Sequence, residues 1–138
     1  MLHMIRVAVG IDSVDHLRAV QDVRRAGGDF VPVLTGSAPR RTDEIVAGGS
    51  LYWIIKGTVQ VRQRIVGIDR LEGRPQGKGC RIRLSPDIVL TAPRPRRPHQ
   101  GWRYLKPDDA PPDRGDEPEG IEDLPEAMAA RLRDLGLV

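Results

Sequence analysis

Residues 41–71, RTDEIVAGGSLYWIIKGTVQVRQRIVGIDRL, leave the chain the least freedom. Asp43 and Glu44 suit the positive end of a short helix, Thr42 is placed to cap it, and Gly48-Gly49 stops it. From Ser50 the period changes to two, with Leu51, Trp53 and Ile55 on one face and Tyr52, Ile54 and Lys56 on the other. A turn follows at Lys56-Gly57 or Gly57-Thr58, glycine supplying the positive φ. The return strand is expected to turn Val59, Val61 and Gln63 inward and Gln60, Arg62 and Arg64 outward. Beyond Arg64 the alternation slips, and Gly67 between Val66 and Ile68 marks a bulge or strong bend of the kind a closing barrel needs.

The flanking sequence supplies the rest of an α+β domain. An opening strand is predicted over residues 4–9, and then a helix over 13–26 with Ser13 as N-cap and Gly27-Gly28 as the stop. His16 falls on the polar side of that helix. Residues 30–35 read as a strand that Pro32 confines to an edge or a bulge. Residues 80–84 alternate Cys80, Ile82 and Leu84 with Arg81 and Arg83, and Ile88-Val89-Leu90 is a last strand. Residues 72–79 form a loop, and residues 92–112 read as irregular, rich in proline and extended. An acidic linker leads to a terminal helix with Met128, Leu132 and Leu135 on one stripe. The expected organisation is one barrel domain over residues 1–112, with residues 113–138 packing back on it.

Charge divides the chain sharply. Residues 1–55 balance six Arg against six Asp and Glu, residues 56–106 carry a net +10, and residues 107–138 a net −7. So basic a middle predicts an anionic partner, nucleic acid above all, and leaves an acidic protein partner as a further possibility. The acidic tail, from Asp108 to Glu126, is expected to fold over the basic face and compete with an external ligand. A single cysteine, Cys80, excludes an intrachain disulfide and fits a reducing cytoplasm. The chain starts without a secretory-signal pattern, and no apolar run reaches a membrane-spanning length, so no membrane role is expected.

Chemistry-bearing motifs are few. His3, His16, His99 and Cys80 stand at no zinc-like spacing, Gly77-Lys78-Gly79 lacks the Ser/Thr of a phosphate loop, and no cofactor or metal is called for. Cys80 sits in a strand pattern without a neighbouring base and reads as a core thiol. The second informative stretch is residues 98–106, PHQGWRYLK, which suits stacking on a base with Arg or Lys at a phosphate, or else plugs the barrel with Trp102 and Leu105. The candidate binding residues are Arg41, Tyr52, Lys56, Arg62, Arg64, Arg96, Arg97, His99, Gln100, Trp102, Arg103 and Tyr104, with Arg81 and Arg83 adding to the phosphate field.

The blocks GGSLYWIIKG and RRPHQGWRYLKP, together with the LPEAMAARLRDLGL tail, resemble the proteobacterial family catalogued as domain of unknown function 1489, over nearly the whole chain. Residues 41–71 are also similar to the core of PUA-like domains of the ASCH and EVE type. That similarity implies a small bent mixed barrel flanked by two or three helices, and RNA or modified bases as ligands. Some ASCH members hydrolyse modified nucleosides with a Lys, a Thr and a Glu; the resemblance carries over to Thr42, preceded here by Arg41. The leading expectation is a non-catalytic module that binds RNA or a modified nucleotide through a basic face. The alternative is a small hydrolase using Lys56, Glu44 and His99 or Tyr104 on a modified nucleoside or another small anion.

Overall fold

The computed structural model describes residues 1–71 and 79–114. In chain order they form β1 (His3–Val7), α1 (Val14–Arg25), β2 (Val31–Thr35), α2 (Thr42–Val46), β3 (Ser50–Ile55), β4 (Thr58–Arg70), β5 (Cys80–Leu84), β6 (Val89–Pro95) and β7 (Trp102–Leu105). The strands make one mixed sheet ordered β2-β5-β4-β3-β1-β7, with β6 also on β4. Only β1 and β3 run parallel; every other pairing is antiparallel. The expected terminal helix and most of the acidic linker and of the 72–79 loop lie outside the described residues.

The hairpin at the centre follows its sequence. Lys56 and Gly57 both take positive φ, 50° and 77°, as a two-residue turn of primed type requires. The inward residues are displaced at one point. Trp53 pairs with Val61 but Ile54 pairs with Val59, so Gln60 is an extra residue in β4. One inserted residue reverses which face its neighbours occupy. Val59 therefore joins Ile5, Tyr52, Ile54 and Leu105 on the outer face, while Val61 and Ile65 stay in the main core. The expectation of Val59 as inward is corrected by that bulge. The second bulge, between Ile65 and Gly67, falls where the alternation slips.

α1 is capped as expected, the Ser13 hydroxyl accepting from the His16 amide at 3.1 Å. The His16 ring returns the contact, its Nδ1 accepting from the Asp12 amide at 3.1 Å. Thr42, by contrast, does not cap α2: it is already the first helical residue, and its hydroxyl donates to the Pro39 carbonyl at 3.0 Å. A five-residue helix has no stability of its own. Burial of Ile45 anchors it, contributing about 1.5–3 kcal/mol. Gly49 lets it end against the sheet, because a Cβ there would strike the Leu2 and Ile45 carbonyl oxygens.

The sheet bends but does not close, so the expected barrel is not formed. β7 and β2, the two edge strands whose pairing would close it, exchange no ladder bonds. Instead, side chains from the β1–β7 end reach the β2 end. Arg6 donates to the Leu34 carbonyl at 3.2 Å, and the Trp102 indole donates to the Ser37 carbonyl at 3.0 Å. The Tyr104 hydroxyl accepts from the amides of Arg40 and Arg41 at 2.9 and 3.3 Å. Pro32 sits in the outermost strand, as its missing N–H demands.

Residues 92–112 are more regular than expected. β6 runs on to Pro95, and β7 lies in the middle of the stretch. Each has a single strand partner, β4 for β6 and β1 for β7, so prolines in and beside them forfeit few ladder bonds. After a 3₁₀ turn at Pro107–Asp109, the chain returns across the outer face. Asp113 bridges to Thr91, and the Arg114 amide donates to the Leu90 carbonyl at 2.8 Å.

Candidate anion-binding cleft

The gap between β1 and β2, covered by α1, is a cleft of about 570 Å³. Its floor is apolar, with Ala8, Leu17, Val31, Val33 and Trp53. Three guanidinium groups line it, those of Arg6, Arg24 and Arg81, and among the described residues no carboxylate does. Arg6 comes from β1, where it lies in register between Trp53 of β3 and Trp102 of β7. Both tryptophans of the chain thus flank one arginine on the inner face. Arg24 is delivered by the last turn of α1, and Arg81 by β5 opposite Leu34.

The three arginines are not equivalent. Arg81 is paired with Asp69 at 3.0 Å and lies 5.8 Å over the Phe30 ring. Arg6 and Arg24 form no ion pair among the described residues. Burial, and then the nearby charge of Arg24, pull the Arg6 guanidinium below its ordinary pKa. A half-buried cation beside another cation is unfavourable until an anion arrives.

A buried amide cluster holds the back of the cleft. Gln21 of α1 and Gln63 of β4 exchange two hydrogen bonds of 2.7 Å. Gln63 also accepts from the Trp53 indole at 2.8 Å and donates to the Ser85 carbonyl at 3.1 Å. With Gln63 0% and Trp53 5% exposed, the network fixes the indole and ties α1 to the sheet.

The residues expected to bind do not converge on one face. Tyr52, 4% exposed, lies on the outer face edge-on to His3 at 5.0 Å. Beside it Arg62 is held by Asp113 through two bonds of 2.7 Å and donates to the Ser50 hydroxyl at 3.0 Å. These groups border an open depression of about 360 Å³ under residues 107–113. His3 accepts from the Ser50 amide at 3.0 Å, and burial keeps its pKa below the usual value. Trp102 and Tyr104 are on the opposite, inner face, edge-to-face at 5.0 Å, and clasp residues 37–41. Arg41 is engaged by Glu44 at 2.5 and 2.7 Å, and Lys56 lies 4.0 Å from Asp12. Arg64, Arg97 and Arg103 are exposed, Arg96 is half-buried, and His99 and Gln100 border a cavity that includes Arg6.

Arg6 and Arg24 were not among the candidates that the sequence singles out. One signal for Arg6 was present: Met4, Arg6 and Ala8 share a face in a strand whose other face is also apolar. An arginine in a strand buried on both sides needs a reason. Among the described residues, no three His, Cys, Asp or Glu side chains gather as metal ligands, and no helix is long and apolar enough to cross a membrane.

Fold and cleft together define a small α+β domain with an open, bent seven-stranded sheet and a basic cleft lined by β1, β2 and α1. Over residues 4–138 the chain matches the family described as "Protein of unknown function (DUF1489)", and it belongs to that family. No curated protein and no solved structure matches it significantly.

Proposed function

We propose that this domain is a non-catalytic binding module for a phosphate-bearing nucleic-acid ligand, RNA or a modified nucleotide, held in the β1–β2 cleft. The observation that carries the reading is Arg6, half-buried between two tryptophans, next to Arg24 and without a carboxylate partner among the described residues. A guanidinium offers phosphate a planar fork of donors, and an indole offers a base or sugar an apolar wall. The cavity size is that of pockets that enclose small ligands. The hydrolase alternative has less support: among the described residues Glu44 is engaged by Arg41, Lys56 lies near Asp12, the Tyr104 hydroxyl accepts from the Arg40 and Arg41 amides, and His99 borders a cavity that neither Glu44 nor Lys56 lines.

Binding is measured by Trp53 fluorescence with short single-stranded RNA at several salt concentrations. We expect quenching and a linear fall of log affinity with log salt, by about 0.7 for each phosphate neutralised. Arg24→Gln should reduce that slope by about one contact. Absence of any fluorescence change or retention at low salt would sink the reading.

A further inference from the structure

The cleft has a second compartment. Arg6, Val7 and Val9 also border a cavity of about 350 Å³ whose other wall is residues 98–101. The same three residues line both spaces, so Arg6 stands at their junction. The two sides differ in chemistry. The larger has an apolar floor with Trp53, whereas the smaller presents His99 and Gln100. Gly101, at φ 67°, turns the chain so that these two side chains precede β7 at the edge of the sheet.

His99 is the unusual member. Both its ring nitrogens are shielded from solvent and find no partner at hydrogen-bond geometry, although the backbone of Gln100 and Gly101 lies close. Burial, and then the charge of Arg103, lower its pKa below the ordinary histidine value. The shielded ring thus gives this space a flat wall, and the exposed Gln100 amide beside it offers one donor group and one acceptor. Paired donors and acceptors are what the edge of a nucleobase displays.

We propose that the site is bipartite and takes a dinucleotide step of single-stranded RNA. The linking phosphate lies on Arg6, one nucleoside lies against Trp53, and the other lies against the His99 ring and is read by the Gln100 amide. This rests on the cleft reading and fixes its minimal ligand as two linked nucleosides. A phosphate bridge between two heterocycles also occurs in pyrophosphate-linked dinucleotides, so both sources enter the test.

Calorimetric titration of the full chain would compare pooled ribonucleoside 5′-monophosphates, pooled 3′,5′-diribonucleotides and a 5′,5′-pyrophosphate dinucleotide. The diribonucleotides should bind at least about tenfold tighter than the mononucleotides, the scale of one stacked base. His99→Ala and Gln100→Ala should remove that gain and bring diribonucleotide affinity down to that of the mononucleotides, with thermal melting confirming the fold. Equal affinities for one and two nucleosides, or a gain that survives both substitutions, would overturn the bipartite site and leave the cleft reading standing. Tighter binding of the pyrophosphate dinucleotide would replace the RNA step by a free dinucleotide. No heat with any of the three from a folded protein would overturn the cleft reading as well.

Discussion

Arg6→Met separates the two roles that Arg6 could have, ligand group or strut. As a strut, Arg6 contributes the hydrogen bond to the Leu34 carbonyl that spans the open edge. A bond from a charged donor is worth about 1.5–3 kcal/mol at most. Against it stand the desolvation of a half-buried guanidinium and repulsion from Arg24, with no carboxylate partner among the described residues to offset them. Replacing poorly compensated buried charge by an apolar side chain of similar length is often neutral or stabilising by about 1–4 kcal/mol. The two effects nearly cancel, so the melting temperature should stay within about 3–6 °C, one kcal/mol for a chain of this size. The loss in binding has nothing to offset it. Removing one charge-assisted bond to phosphate should weaken RNA affinity about ten- to hundredfold and flatten the salt dependence by about 0.7. The checks are differential scanning calorimetry and fluorescence titration on the same preparation. A melting temperature lowered by well over 6 °C, with affinity and salt slope intact, would make Arg6 a strut and refute the reasoning.

Tyr104→Phe should cost about 1 kcal/mol of stability, because the phenol accepts from the Arg40 and Arg41 amides, and should leave RNA affinity within about twofold. A tenfold affinity loss without a stability change would return Tyr104 to a binding role. The Arg62 guanidinium holds the Asp113 carboxyl below the ordinary carboxylate range. A carboxylate with a depressed folded pKa stabilises the fold in full above its unfolded pKa, and this contribution fades as pH falls through the folded value. Asp113→Asn should therefore melt below the parent at neutral pH, and the gap should narrow below about pH 4. A gap that stays constant on acidification would mean that the ion pair adds nothing.

How far the fold was legible depended on how local each cause was. The 50–70 hairpin was legible because alternation and a glycine turn act within a few residues. The Gln60 bulge was not: Gln60 sits in regular alternation, and its displacement appears only in the pairing with β3 and β6. β7 was hidden by composition, since His99, Gln100 and Gly101 around a lone tryptophan read as loop until β1 provides a partner. The binding candidates were chosen by charge and aromatic density, which marks exposed cations as readily as functional ones. Arg62, Arg81 and Arg83 proved to be held by Asp113 and Asp69. The cleft draws on β1, α1, β2, β3 and β5, and nothing in the spacing of Arg6, Arg24 and Trp53 announces that they meet.

The open sheet and the cleft have one cause. Closure would require the edge strands β7 and β2 to exchange backbone hydrogen bonds, yet Pro32 brings no donor to β2, and the carbonyls of Leu34 and Ser37 are taken by the side chains of Arg6 and Trp102. The Gln21–Gln63 pair then fixes α1 against β4 at the back of the gap. With α1 pinned there and the 37–41 loop clasped by Trp102 and Tyr104 of β7, the two ends of the sheet are held near each other by side chains without strand pairing. Among the described residues, β2 therefore keeps an edge that no strand fills, beside two arginines without carboxylate partners. Polar backbone at an unfilled edge and uncompensated positive charge are both relieved by the same kind of guest, an anion that also accepts and donates hydrogen bonds. A hydrocarbon guest would relieve neither, although the floor of the cleft is apolar.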